Sequence, residues 1–83
     1  MTLQQLEYFV SAAHNLNFSK TAEMFFVSQS AITQQIRSLE KELKLDLFIR
    51  KNNRISLTDS GQVFMREAEQ ILAKVSDSIE RVH

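Results

Sequence analysis

Residues 28 to 40 read SQSAITQQIRSLE. Ile32, Ile36 and Leu39 recur at steps of four and three, the spacing of the buried stripe on an amphipathic helix. The opposite side then carries Gln29, Ser30, Thr33, Gln34 and Arg37. Solvated helix faces are usually stocked with Lys and Glu, whereas this set is mostly short, neutral hydrogen-bonding groups. Such groups match the edges of base pairs: Gln bonds bidentately to adenine, and Ser and Thr donate or accept. A Thr methyl touches a thymine methyl, and Arg pairs with guanine or reaches phosphate. Ser28 is a candidate N-cap, and the free N–H groups behind it attract an anion. A polar helix face alone is also what plain surface looks like, so the neighbouring elements decide its meaning.

Those elements follow from spacing and breakers. Thr2 and Gln5 have the spacing of a capping box, and Leu3, Leu6, Phe9, Val10 and Ala13 predict a first helix over about 3–14. After NLN, Ser19 is the expected N-cap of a short helix over about 19–25, with Ala22, Phe25 and Phe26 as its apolar contacts. A tight turn through Phe26 and Val27 leads to a third helix over about 29–43, which Leu43 extends. In LFIRKNNRISL, Phe48, Ile55 and Leu57 flank KNNR, where Asn52 and Asn53 tolerate the left-handed backbone of a hairpin turn. Thr58, Asp59 and Ser60 open a final helix uninterrupted from residue 62 to the end. It is about 36 Å long at about 1.5 Å per residue, too long to lie wholly on so small a domain.

This order predicts a mainly α fold, a winged helix-turn-helix of three helices and a two-stranded hairpin wing followed by a long C-terminal linker helix. The expected division is 1–58 for the head and 59–83 for the linker. In such a fold the second helix of the pair enters the major groove, and the wing, about 48–57, lies on the backbone or minor groove. Arg50, Lys51 and Arg54 on the hairpin are then candidate phosphate contacts, although basic residues also protect plain edge strands. Lys20 is equally a phosphate contact or surface, and Lys41 and Lys44 fall beyond the groove. On the linker helix, Phe64, Ala68, Ile71, Leu72, Val75, Ile79 and Val82 form an apolar stripe expected to pair with a second copy, with Phe64 and Met65 also able to touch their own head.

Composition bounds the alternatives. The 83 residues suffice for one small domain, or a domain plus one appended element, whose core supplies only a few kcal/mol of net stability, which again favours an oligomer. Cysteine is absent, so neither disulfides nor thiolate metal sites contribute, and a reducing, cytoplasmic setting is expected. The start lacks a signal peptide's basic segment, and no apolar run reaches the roughly 18 residues that span a bilayer. The lone glycine, Gly61, excludes glycine-rich phosphate loops. His14 and His83 lack metal-ligand partners, and no catalytic set is nominated, so an enzyme is not expected.

Net charge is zero, which by itself points away from nucleic acid. Its distribution is uneven. Residues 18–58 carry Lys20, Arg37, Lys41, Lys44, Arg50, Lys51 and Arg54 against Glu23, Glu40, Glu42 and Asp46, an excess of +3. The N-terminal stretch carries −1 and the C-terminal one −2. A protein-interaction module, with the long helix in a coiled coil, remains the rival reading at this point.

The segments LQQLEYFVSAAHNLNFSKTAEMFFVSQSAITQQIRSLEKELKLDLFIR and ISLTDSGQ give the chain a close resemblance to the N-terminal DNA-binding region of LysR-type bacterial transcriptional regulators, over essentially its whole length. The resemblance implies sequence-specific binding to double-stranded promoter DNA at an interrupted dyad of the T-N11-A type, by a homodimer paired through its linker helices or by two such dimers. It implies Gln29, Ser30, Thr33 and Gln34 as base readers, Ser28 and Arg37 near phosphates, and Arg50, Asn53 and Arg54 on the wing. It also implies a cytoplasmic, nucleoid-associated protein without a cofactor in these residues. A small-molecule effector would belong to a C-terminal domain that has no counterpart here, so the 83 residues are expected to be a separately expressed DNA-binding domain, with a naturally short regulator as the alternative. The chain departs from the family's common pattern at Ser30 (often Pro), Gln34 (often Arg), and Asn52 and Asn53 (often Gly then Arg).

Overall fold

A computed structural model describes residues 1–83. Its elements run α1 (Leu3–Asn15), α2 (Phe18–Met24), α3 (Gln29–Leu43), β1 (Phe48–Lys51), β2 (Arg54–Leu57) and α4 (Asp59–Val82). This is the expected winged helix-turn-helix with a long C-terminal helix.

The caps explain the boundaries. Thr2 and Gln5 form a reciprocal capping box at α1, Ser28 accepts the Ala31 N–H at α3, and Thr58 accepts the Gly61 N–H at α4. At α2 the sequence expectation fails by two residues. Asn17, not Ser19, is the N-cap, its Oδ1 accepting the Lys20 N–H at 2.9 Å, so the helix starts at Phe18. Helix α2 ends in a Schellman motif: Val27 N–H donates to Ala22 O and Phe26 N–H to Glu23 O. Phe26 therefore sits in the left-handed slot that glycine usually fills, at φ 57°. Its side chain is 95% exposed, so it is no apolar contact of α2 as the sequence suggested. Helix α3 closes the same way through Lys44, at φ 60°.

The wing is an antiparallel hairpin in which Lys51 pairs with Arg54 across Asn52 and Asn53. Both asparagines have positive φ, 53° and 59°, as a two-residue type I′ turn requires. Its base is anchored in the core. Phe48 is buried and packs edge-on against Phe9 and Phe18, at centroid distances of 5.6 and 5.2 Å. Ile32, Ile36 and Leu39 are fully buried, so α3 turns one face inward along its length.

Helix α4 belongs partly to the head. Ala68 lies in the core with no exposed surface, and Phe64, Met65 and Leu72 pack against it. A boundary drawn after residue 58 therefore cuts through this core. Gly61 makes the close approach possible: a Cβ there would sit well inside 3.0 Å of the Leu47 carbonyl oxygen. Beyond Leu72 the helix leaves the head, and the molecule extends to 47 Å along its longest axis.

Candidate nucleic-acid interface

Helix α3 rests with its inward stripe on α1 and α2, which fixes what it shows to solvent. A partly buried amide pair orients it: Gln5 Oε1 accepts the Thr2 N–H, so its Nε2 donates to Gln35 Oε1 at 2.9 Å. Gln29, Ser30, Thr33, Gln34 and Arg37 then line one shallow surface without a hydrophobic residue among them. Thr33 is half-buried and the other four are exposed. Ser28 serves first as the cap, and its hydroxyl lies 3.2 Å from that of Ser30.

The first turn of α3 also forms one wall of a cleft of about 510 Å³. Gln29 and Thr33 face Arg50, Asn53 and Arg54 of the wing across it, and the start of α2 closes the end through Asn17, Phe18 and Ser19. Residues 29 and 54, far apart in the chain, thus share one concave polar surface. Arg50 is held there by the aromatic ring of Phe18, its guanidinium carbon 4.8 Å from the ring centroid. The structure therefore brings Gln29 and Thr33 together with three of the wing candidates, while Ser30, Gln34 and Arg37 adjoin them on the shallow outer surface of α3 and do not line the cleft. Lys51 is exposed on the hairpin, opposite Arg54, but does not line the cleft. Lys20 is exposed on α2 and also stands outside it.

The charges of this surface are free. The ion pairs of the protein join the amino terminus to Glu42, His14 to Glu69, and Arg81 to Asp77. Arg37, Arg50, Lys51 and Arg54 are in none of them, so their positive charge is available to an outside anion. Of the ten acidic residues that make the net charge zero, five lie on α4; Glu40 and Asp46 share a hollow with Arg37 but form no ion pair with it. No group of three metal-binding side chains occurs, and no helix is long and apolar enough to cross a membrane.

Sequence reasoning missed Asn17 and Ser19 as cleft residues. Asn17 stands three residues before Lys20, an N-cap signal as good as that of Ser19. The choice between them depends on how α2 packs on α3.

On α4 the expected stripe divides. Ala68 is consumed by the chain's own core and offers nothing to a partner, a correction to its assignment; Phe64 and Leu72 also turn inward. Ile71, Ile79 and Val82 are exposed at 40%, 55% and 84%, and Val75 is half-buried between them.

Three helices with a tight turn, a basic hairpin and a polar helix face beside it define a winged helix-turn-helix. Residues 3–62 match the family model described as bacterial regulatory helix-turn-helix protein, lysR family, and the chain belongs to that family. Among curated relatives, it is 44% identical over 77 residues to a probable RuBisCO transcriptional regulator of Phaeodactylum tricornutum, covering 93% of this chain and 25% of the relative. It is 41% identical over 83 residues to the regulator CitR of Bacillus subtilis, covering 100% of this chain and 28% of that one. The chain thus spans about a quarter of the length of these relatives. Among solved structures, the DNA-binding domain of CbnR in complex with DNA superposes with a TM-score of 0.94 at 35% identity, covering 99% of this chain and 94% of the other. The BenM DNA-binding domain in complex with benA site 1 DNA gives 0.94 at 29% identity, with 99% and 92% covered. The family and the relatives are transcriptional regulators, not enzymes.

Proposed function

We propose that this chain binds double-stranded promoter DNA with sequence specificity as the reading head of a transcriptional regulator. The observation that carries the reading is the shared surface on which Gln29 and Thr33 of α3 face the unpaired Arg50 and Arg54 of the wing. Helix α3 has base-compatible groups at its N-terminal end, where a recognition helix meets the major groove. Gln29, Ser30, Thr33 and Gln34 read base edges. Ser28, Arg37, Arg50, Lys51, Asn53, Arg54 and, from α2, Lys20 contact phosphates or the minor groove, which sets register and affinity rather than sequence. That relatives of the same fold have been crystallised on DNA supports the assignment.

The apolar row of exposed Ile71, Ile79 and Val82 with half-buried Val75 supports pairing of α4 with a second copy, making residues 59–83 a linker that joins two heads. Two recognition helices then engage half-sites about one helical turn apart or a multiple of it, as a dyad of the T-N11-A type provides. In a longer protein the unit extends to paired dimers and to a small-molecule effector acting on a further domain. The setting is the cytoplasm, on the nucleoid.

Selection from a randomised duplex library with the purified chain tests this. Enrichment of an inverted repeat supports the dimeric reader, and recovery of no common sequence defeats it.

A further inference from the structure

Ser19 has no part in the assignments above. It does not cap α2, since Asn17 does, and its side chain is exposed. Its hydroxyl nevertheless donates to Oε1 of Gln29 at 2.6 Å, across from the first turn of α2 to the first residue of α3. Both residues line the cleft between α3 and the wing.

We infer that Ser19 is a positioning residue for base reading, holding the Gln29 amide with its oxygen turned toward α2 and its nitrogen free. The inference rests on α3 being the recognition helix. A free glutamine amide offers one acceptor and two donors, and its best partner is the adenine edge, where N6 donates and N7 accepts. The Ser19 hydroxyl occupies one of the two lone pairs of Oε1 and turns that oxygen toward α2, so Gln29 offers DNA chiefly its two N–H donors. Such a group suits an edge made of acceptors, guanine N7 and O6 or thymine O4, and is poorly placed to accept the second bond from adenine N6. The bond also restrains a long, flexible side chain before DNA arrives, so less rotamer freedom is lost on binding. Because α2 and α3 are locked by the Schellman turn at Phe26 and Val27, the distance between the two residues is set by the head and not by the ligand.

The test is library selection with the 83-residue chain in four forms: unaltered, Gln29→Ala, Ser19→Ala and Ser19→Thr. The base pair whose preference flattens in Gln29→Ala is the one Gln29 reads. At that pair, Ser19→Ala should raise the share of adenine by about fivefold or more, the scale of one good base contact. Ser19→Thr keeps the hydroxyl and should retain the original preference, which a merely structural role for residue 19 does not require. An unchanged preference at that pair in Ser19→Ala overturns the inference while leaving base reading intact. If Gln29→Ala flattens no base pair, Gln29 does not read a base, and both the inference and that part of the functional reading fall together.

Discussion

The carboxylate of Glu40, on α3, accepts the backbone N–H of Leu47 at 2.8 Å and that of Phe48 at 3.3 Å. One side chain therefore ties the root of the wing to the helix beside it. Leu47 is fully buried, so water cannot readily replace the lost acceptor. Glu40→Ala should destabilise the fold by about 1–3 kcal/mol in urea unfolding, the scale for orphaned buried donors. Glu40→Gln keeps an acceptor oxygen and should lose less. Equal stability of Glu40→Ala and the unaltered chain would show that the wing is held by Phe48 packing alone.

Gly61 provides a test in which two effects oppose each other. It lies in the first turn of α4, where replacing glycine by alanine should favour the helix by up to about 1 kcal/mol. The added Cβ meets the backbone carbonyl of Leu47, a group without a flexible end to move aside. Overpacking of this kind typically costs about 1–3 kcal/mol. The clash wins on magnitude, so Gly61→Ala should lower the melting temperature. A rise would mean that α4 shifts freely on the head.

Phe26 should behave in the opposite way. Its left-handed backbone costs roughly 1–2 kcal/mol for a residue with a Cβ, and its exposed ring recovers little by packing. Phe26→Gly and Phe26→Asn should both stabilise the head, glycine because it lacks the clash and asparagine because it tolerates the region. Thermal unfolding of the two variants checks this; a loss of stability in both would reveal a packing role for the ring.

These residues also mark what could be read from the sequence. The helices α1 and α3, the hairpin turn at Asn52 and Asn53, and the apolar positions Phe9, Phe25 and Phe48 all announce themselves through local signals: caps, apolar spacing and residues that tolerate positive φ. The polar face of α3 was legible for the same reason, as the complement of a buried stripe. What failed depends on tertiary packing. Phe26 looks apolar and hence buried, but the Schellman geometry points it outward. Ala68 continues a helical stripe that spacing alone cannot divide between the chain's own core and a partner. Asn17 and Ser19 enter the cleft only because α2 abuts α3 and the wing.

That division of α4 gives a further expectation. Ile71→Glu with Ile79→Glu should yield a monomer in analytical ultracentrifugation while the head melts much as before, because both side chains face solvent in the single chain. Ala68→Glu should instead unfold the head, since it places a charge in the core. The monomer should bind a dyad far more weakly, having lost simultaneous engagement of two half-sites. An unchanged dimer after the double substitution would move the interface elsewhere.

Arg50 and Arg54 separate charge from sequence reading. Arg50→Ala and Arg54→Ala should each weaken binding on all sequences alike and reduce the salt slope by about 1, the release of one phosphate's counterions. Thr33→Val and Gln34→Ala should instead change which sequences are preferred, with the slope kept. Arg variants that alter preference at one base pair without changing the slope would reassign the wing to base reading.

A titration of the chain by fluorescence anisotropy against its selected dyad and a shuffled duplex, between about 50 and 200 mM salt, bears on DNA reading most directly. Tighter binding to the dyad at every salt concentration is expected. Both affinities should fall as salt rises, the dyad's by about a thousandfold or more if six or more phosphates are engaged. Equal affinity for the two duplexes, or binding indifferent to salt, would remove α3 and the wing as a DNA-reading surface.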